Sequence, residues 1–430
     1  MRHDPSAAGH PADASKLKWH VLVGSFGAYM FEGMDIVMLA VALPLIIDEL
    51  HISAADGGLL FTATLLGVGL AGVTMGWFTD RFGRRLSLLL TLVSFSFFTV
   101  GIAFATTWWQ IMAMRFLAGL GLGGIYGVVS SYVAETWPSH HRARAVAFVL
   151  SSFSIGAALA SAAGGWLMPL FGWRALFLTG TAGLVWAIYV YFKCPESPVW
   201  LAERAKRRAG GAQAKHSEAS MAAIFAPGIA RKTILATVAS VFTLGGYWGA
   251  TTWLPAFLIK ERGLSVASMG LSLTLLAIAM FVGYNVFGWL ADLYGKKKII
   301  IVSFIGAALT LPIYVVAEDK TIVFWMGPVY GFFLAFFGLF GSYFAEFYPT
   351  SVRATGVGFC FNVSRGLSAF APFLLGSIAT SYSFGFGIAL CALAYVIAAV
   401  CILFIPSAAT SAIEAAEERA ALPVGPAAPT

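Results

Sequence analysis

The chain has 430 residues, of which 59% are hydrophobic and 11% charged, and its formal net charge is +7. A soluble chain carries roughly a quarter charged residues, so this composition excludes an ordinary soluble protein and points to a bilayer. The excess of positive charge follows from membrane topology, argued next, and implies no nucleic-acid partner.

Residues 1 to 18, MRHDPSAAGHPADASKLK, are polar and lack the apolar core and small-residue cleavage site of a signal peptide. They are expected to form a cytoplasmic tail. Apolar runs of bilayer-spanning length then recur along the chain. Six are expected at 19 to 42, 56 to 79, 86 to 105, 109 to 132, 144 to 169 and 173 to 192, making a first bundle over 19 to 192. A polar segment, 193 to 231, contains ERAKRRAGGAQAKHSEAS and reads as a cytoplasmic linker. Six more runs, at 232 to 258, 268 to 291, 298 to 317, 321 to 344, 355 to 380 and 384 to 406, make a second bundle over 232 to 406. The Ala/Glu/Pro-rich remainder, 407 to 430, reads as a second cytoplasmic tail. The expected fold is an all-α integral membrane protein of twelve helices in two bundles.

With both ends inside, one side's loops hold just Arg174, Lys260, Arg262 and Lys320, and the spans hold Arg115 and Arg365. Every other Lys and Arg falls on the cytoplasmic side, and the positive-inside rule fixes that orientation. Cys194, Cys360, Cys391 and Cys401 have no zinc-like spacing and read as packing residues. No metal, cofactor or catalytic motif is expected, so the chain does not read as an enzyme.

The chain repeats internally. GWFTDRFGRR at 76 to 85 is answered by GWLADLYGKK at 288 to 297, an offset of 212, and AETWPSHHRARAVAF from 134 by AEFYPTSVRATGVGF from 345, an offset of 211. Two independent pairs at nearly one offset mark two parallel six-span halves, an arrangement that places a binding site between them near the midplane.

The first repeat pair resembles the loop 2-3 signature of the major facilitator superfamily. RFLAGLGLGG at 115 to 124 resembles its fourth-helix signature, and CPESPVWL at 194 to 201 the segment after helix six in its sugar and organic-ion branches. FEGMDI at 31 to 36 and AEFYPTSVRATGVGF with the following SRG, at 345 to 366, are similar to the aromatic acid:proton symporter family, although helix one reads Glu-Gly-Met-Asp where that family commonly has Asp-Gly-aromatic-Asp. The resemblance implies alternating access, with proton-coupled import of small organic acids across the inner (plasma) membrane by a protein for which a monomer suffices. The proton is the coupling ion, and the bilayer and a small organic anion are the partners.

Charges that recur in both halves suit a shared scaffold and gate. These are Asp80, Arg84, Arg85, Glu135 and Arg142, with Asp292, Lys296, Lys297, Glu346 and Arg353 as counterparts at cytoplasmic helix ends. The plainer alternative is that the basic members set topology and meet anionic lipid. Glu32, Asp35, Arg115 and Arg365 have no like-charged counterpart and lie inside spans, where ionisable groups are costly and by default functional.

Glu32 and Asp35, three residues apart, share a helix face. At ~1.5 Å per residue Asp35 lies roughly 24 Å from the cytoplasmic start of its helix and Arg115 roughly 9 Å below the opposite surface, depths that suit an ion pair. All seven histidines fall in tails or loops, which leaves carboxylates to carry protons. Burial and a neighbouring cation press on a carboxylate in opposite directions. The expectation is that Asp35, assisted by Glu32, carries the proton and Arg115 controls its release, with a purely structural pair as the alternative.

Arg365, near the midplane, offers two parallel donors to a substrate carboxylate, and Asn362 lies one turn earlier. Tyr29, Tyr247, Trp248, Tyr284 and Tyr343 are candidates for stacking on a planar substrate, each with packing as the alternative. The glycines of helix four, 119 to 127, permit a close helix neighbour, expected to be helix one. Helix five lacks the glycine-proline element of drug:proton antiporters, which favours symport. A sugar or polyol:proton symporter and a non-transporting sensor are the remaining readings.

Overall fold

The computed structural model describes residues 11–208, 224–348 and 353–406. The described residues contain no strand, and eleven helical stretches are long and apolar enough to cross a bilayer. The remaining crossing, eleventh in order, is divided at residues 369 and 370 into Arg353–Ser368 and Ala371–Ser381, each too short to be counted alone. The chain is a multi-pass membrane protein.

The first crossing is longer than its apolar run implies. Its helix spans Pro11–Leu50: it takes up part of the expected tail and continues past Ala42 through Pro44 to the Leu-Ile-Ile sequence beyond. His20, expected in the tail, therefore lies in this helix, its Nδ1 3.0 Å from the Tyr189 hydroxyl. The second crossing, Ala54–Phe82, starts with a capping box. The Ser53 hydroxyl accepts from the Asp56 amide, and the Asp56 carboxylate accepts from the Ser53 amide and hydroxyl. Thr107 and Gln110 start the fourth crossing in the same way. Asp319, accepting from the amides of Thr321 and Ile322 at 2.8 and 3.0 Å, starts the tenth; those two donors hold its exposed carboxyl below the usual range.

The repeat is visible in the backbone. Gly83 turns the chain from the second crossing to the third, Arg84–Ile102, with φ of 104°. Gly295 turns it from the eighth, Val266–Tyr294, to the ninth, Lys296–Val316, with φ of 91°. Side chains disfavour that region. The fourth crossing breaks between Trp108–Leu122 and Ile125–Thr136, and the tenth between Lys320–Phe333 and Phe336–Phe344, again 211 residues apart.

Within the first half the first crossing packs on the fifth, Ser139–Phe171, and the fourth on the second and third; within the other half the eighth packs on the tenth and the twelfth, Phe384–Leu403, on the seventh, Ala230–Ala256, and the ninth. The halves meet where the fifth crossing touches the eighth, the second the eleventh and the first the seventh.

The glycine stripe of the fourth crossing serves neighbours other than the one expected. A Cβ on Gly119 or Gly123 would strike the carbonyl oxygens of Thr64 or Val68 on the second crossing, and one on Gly121 would lie 2.7 Å from the Phe95 nitrogen on the third. The close partner of the first crossing is the fifth, where Gly33 abuts the Phe153 carbonyl and Gly156 that of Met30.

The basic residues gather at one face, and the halves are joined at the other. On that opposite face Asp48 and Lys260 form an ion pair of 2.6 Å between halves. Close by, a Cβ on Gly376 would lie 2.5 Å from the Ala54 carbonyl oxygen, and the backbones of Gly165 and Gly270 touch. Toward the basic face the interface loosens. Asn362 and Gly127 are exposed, and a Cβ at Gly127, Gly358 or Gly366 meets open space.

Candidate functional site

Two buried carboxylates lie one turn apart on the first crossing and have different surroundings. Asp35, 2% exposed, accepts two hydrogen bonds from Arg115 Nη1, at 3.2 and 3.3 Å, and one from the Thr99 hydroxyl. Arg115, fully buried, also donates through Nε to Thr64 Oγ1 at 3.0 Å. This network ties the first crossing to the second, third and fourth and lies wholly within one half. Beside it is a small space lined by Asp35, Ser96, Thr99, Phe31, Met34 and Met38 among others.

Glu32, also fully buried, turns to the other half instead of joining Asp35. Neither of its carboxylate oxygens has a hydrogen-bond partner. Arg365 Nη2 stands 3.9 Å from Glu32 Oε1, within ion-pair range and beyond hydrogen-bond length. The Arg365 guanidinium lies over the Phe361 ring, 5.5 Å from its centroid. Phe361 in turn stacks on Tyr126 of the first half at 5.7 Å and 10° between planes. Tyr29 approaches Tyr126 and Phe153, with centroids 6.2 and 5.9 Å apart, and Tyr284 lies against the tenth crossing, its ring 3.7 Å from where a Cβ on Gly338 would be.

Beyond this pair toward the opposite face is an apolar cavity with Tyr247 and Trp248 in its wall. Asn362 is exposed in the gap between halves, its Oδ1 3.5 Å from where a Cβ on Gly72 would be. Tyr343 does not join the site: it packs on Phe344 and Phe347 near the basic end of the tenth crossing. At residue 343 it sits in the last turn of the helix that ends at Phe344, away from the midplane.

The repeated charges bond within their own halves. Arg84 pairs with Asp80 at 3.2 Å and Glu135 at 2.8 Å, and the Ser197 hydroxyl also donates to Glu135. Arg85 bonds the Tyr191 carbonyl. Lys296 pairs with Glu346 at 2.6 Å, and Lys297 donates to the carbonyls of Leu403 and Ile405 at 2.9 and 2.7 Å, closing the end of the twelfth crossing. Asp292 and Arg142 are exposed, and the Arg353 side chain lies outside the described residues.

The two halves differ at their repeated turn. The Glu196 carboxylate accepts from the Arg84 and Arg85 amides, at 2.8 and 3.2 Å, and crowds Gly83, whereas a Cβ on Gly295 meets nothing.

Sequence reasoning missed Thr64, Thr99, Tyr126, Phe361 and the Asp48–Lys260 link. Tyr126 carried one usable signal, since its repeat counterpart at offset 211 is Phe337, an aromatic facing Tyr247 with centroids 4.8 Å apart. Thr64 and Thr99 carried none, because isolated hydroxyls are common in membrane helices.

The sequence profile of the Major Facilitator Superfamily matches residues 25–370 and 238–428. The chain is 29% identical over 382 residues to the cis,cis-muconate transport protein of Acinetobacter baylyi, covering 87% of this chain and 91% of that one. It is 26% identical over 397 residues to the benzoate transport protein of the same organism, covering 85% and 84%. Among solved structures a D-xylose-proton symporter superposes with a TM-score of 0.75 at 18% identity, covering 91% of this chain and 98% of the other; that likeness concerns the fold.

Proposed function

The chain belongs to the Major Facilitator Superfamily, and from that premise we propose that it imports small organic acids together with protons by alternating access, its basic face lying in the cytoplasm. The observation that carries this reading is Glu32: a fully buried carboxylate without a hydrogen-bond partner, facing an arginine of the other half. A buried charge without close bonds is costly, and its retention inside a bilayer marks function. The relatives named for muconate and benzoate transport fit a cargo bearing a carboxylate.

The coupling follows from charge balance. Arg365 is one cation in a low-dielectric gap and needs one counter-anion. Without cargo, ionised Glu32 supplies it from 3.9 Å. A substrate carboxylate, able to accept two parallel bonds from the guanidinium, displaces Glu32, which then takes up a proton so that no second negative charge is buried. Release to the cytoplasm removes both substrate and proton, and the Glu32–Arg365 pair re-forms. We assign the proton to Glu32 in preference to Asp35. The bonds that Asp35 makes to Arg115 and Thr99 already satisfy it within one half, so motion between halves does not alter its surroundings directly. Asp35 and Arg115 then act as positioning residues for the first crossing.

In the form described here the substrate path is closed by Asp48–Lys260 and the glycine contacts on the opposite face. The Tyr126–Phe361 stack forms a thin partition on the basic side of Arg365. A sugar or polyol cargo gives Arg365 no anion to hold. The test is uptake of labelled benzoate by proteoliposomes under an inward proton gradient, with Arg365→Ala and Glu32→Gln alongside. Accumulation by wild type and its loss in Arg365→Ala are expected; uptake of a hexose in place of carboxylates overturns the reading.

A further inference from the structure

Two groups draw on the Arg365 guanidinium. The Glu32 carboxylate lies 3.9 Å away on the first crossing, and the Phe361 ring, one turn earlier on the helix of Arg365 itself, has its centroid 5.5 Å away. A cation over an aromatic face within about 6 Å is attracted by the ring quadrupole. Long helical side chains also lean toward the N-terminus of their helix, which for Arg353–Ser368 is the basic face. The ring therefore holds the guanidinium back on its own helix, at a distance where Glu32 gains attraction and no hydrogen bond.

The ring is in turn held from the other half. Tyr126 of the fourth crossing stacks on Phe361 at 5.7 Å with 10° between planes, and its hydroxyl reaches the tenth crossing, 3.6 Å from where a Cβ on Gly341 would be. The repeat marks this arrangement as an addition to the shared scaffold. At offset 211 the counterparts of Phe361 and Arg365 are Leu150 and Ser154, so the first half has neither ring nor cation there. Phe337, the counterpart of Tyr126, faces Tyr247 of its own half.

We propose that Phe361 is a positioning residue: it keeps Arg365 off Glu32, and so free to take a substrate carboxylate, for as long as Tyr126 of the other half holds the ring. The inference rests on the carboxylate reading above and deepens it. While the Tyr126–Phe361 stack is closed, the guanidinium fork meets cargo with Glu32 as a weak competitor. When the halves part on the basic side the stack separates, Phe361 is released, and Arg365 closes the remaining gap to Glu32. A carboxylate hydrogen-bonded directly to a guanidinium is a stronger partner than one held 3.9 Å away. Glu32, losing its proton to cytoplasmic water, then displaces the cargo toward the open side. Opening of the basic face and loss of affinity become one event.

The test is a double-variant cycle read by equilibrium binding of labelled benzoate to the purified full-length chain. Phe361→Leu is expected to weaken binding about fivefold, because Glu32 then competes from hydrogen-bond distance, and Phe361→Tyr, which keeps the ring, to restore it. Tyr126→Leu is expected to weaken binding about twofold to threefold, and Tyr126→Phe to restore the stack and the affinity. In a Glu32→Gln background no carboxylate competes for Arg365, and Phe361→Leu and Tyr126→Leu are each expected to change binding by less than about twofold. A ring that merely supports the fold, or touches the cargo, gives the same loss in both backgrounds. A monodisperse gel-filtration profile verifies folding of each variant, and Tyr126→Leu carries the test if Phe361→Leu does not fold.

If benzoate does not bind, or Arg365→Ala binds it as wild type does, the carboxylate reading fails and takes this inference with it. If binding requires Arg365 yet the ring variants keep wild-type affinity, or weaken binding equally with and without the Glu32 carboxylate, the positioning role of Phe361 alone is overturned.

Discussion

Asp35 and Glu32 sit on one face of one helix, each with an arginine, and differ in what the arginine belongs to. Arg115 is in the same half as Asp35 and bonds it at 3.2 and 3.3 Å; Arg365 is in the other half and stops 3.9 Å short of Glu32. The difference separates a pair that fixes helices from a pair that reports the distance between halves. A bond inside a rigid bundle gains nothing from motion. In the proposed mechanism, a contact across the interface between halves, left incomplete, can be remade with substrate.

The largest expected effect is that of Arg365. Arg365→Ala is expected to lower carboxylate uptake at least 100-fold, and Arg365→Lys to restore little of it, because a point ammonium does not reproduce the planar two-bond fork; initial rates in proteoliposomes measure this.

The next prediction concerns stability. Removing one partner of the buried pair, as in Asp35→Leu or Arg115→Met, leaves an uncompensated charge and is expected to cost about 3–5 kcal/mol, while the double variant recovers most of that loss. Glu32→Gln, by contrast, discards a carboxylate without hydrogen bonds whose arginine keeps some exposure, and is expected to lower the thermal midpoint in detergent much less than Asp35→Leu does. A fall after Glu32→Gln equal to that after Asp35→Leu erases the distinction between the pairs.

The smallest effect belongs to the opposite face. Lys260→Ala breaks a largely exposed pair, worth about 0.2–1 kcal/mol, and is expected to raise labelling of a cysteine placed at Ser161 by less than about fivefold.

Much of the fold was legible because it follows from hydropathy and from a repeat. The offset that linked GWFTDRFGRR to GWLADLYGKK also relates the turns at Gly83 and Gly295, both with positive φ. Ends and neighbours were less legible. Pro44 marked no boundary, since a proline within a packed membrane helix can be accommodated without ending it, and the glycines of the fourth crossing said that some helix approaches without saying which.

At the site, the absence of repeat counterparts picked out Glu32, Asp35, Arg115 and Arg365, and matching depths joined Asp35 to Arg115. That Glu32 faces Arg365 was not readable. Depth along a helix comes from residue number, whereas direction depends on a rotation set by Gly33 packing on Phe153. Tyr343 was chosen for its residue type, although its number already put it in the last turn of its helix, where it packs on Phe344 and Phe347.

The most direct test of the central claim separates coupling from binding in Glu32→Gln. Reconstituted protein is assayed for benzoate counterflow at equal pH and for accumulation driven by an inward proton gradient. The account predicts that counterflow persists, since Arg365 still holds the carboxylate, while gradient-driven accumulation vanishes. Accumulation in Glu32→Gln that still follows the proton gradient as in wild type contradicts it and returns the proton to Asp35 or to another group.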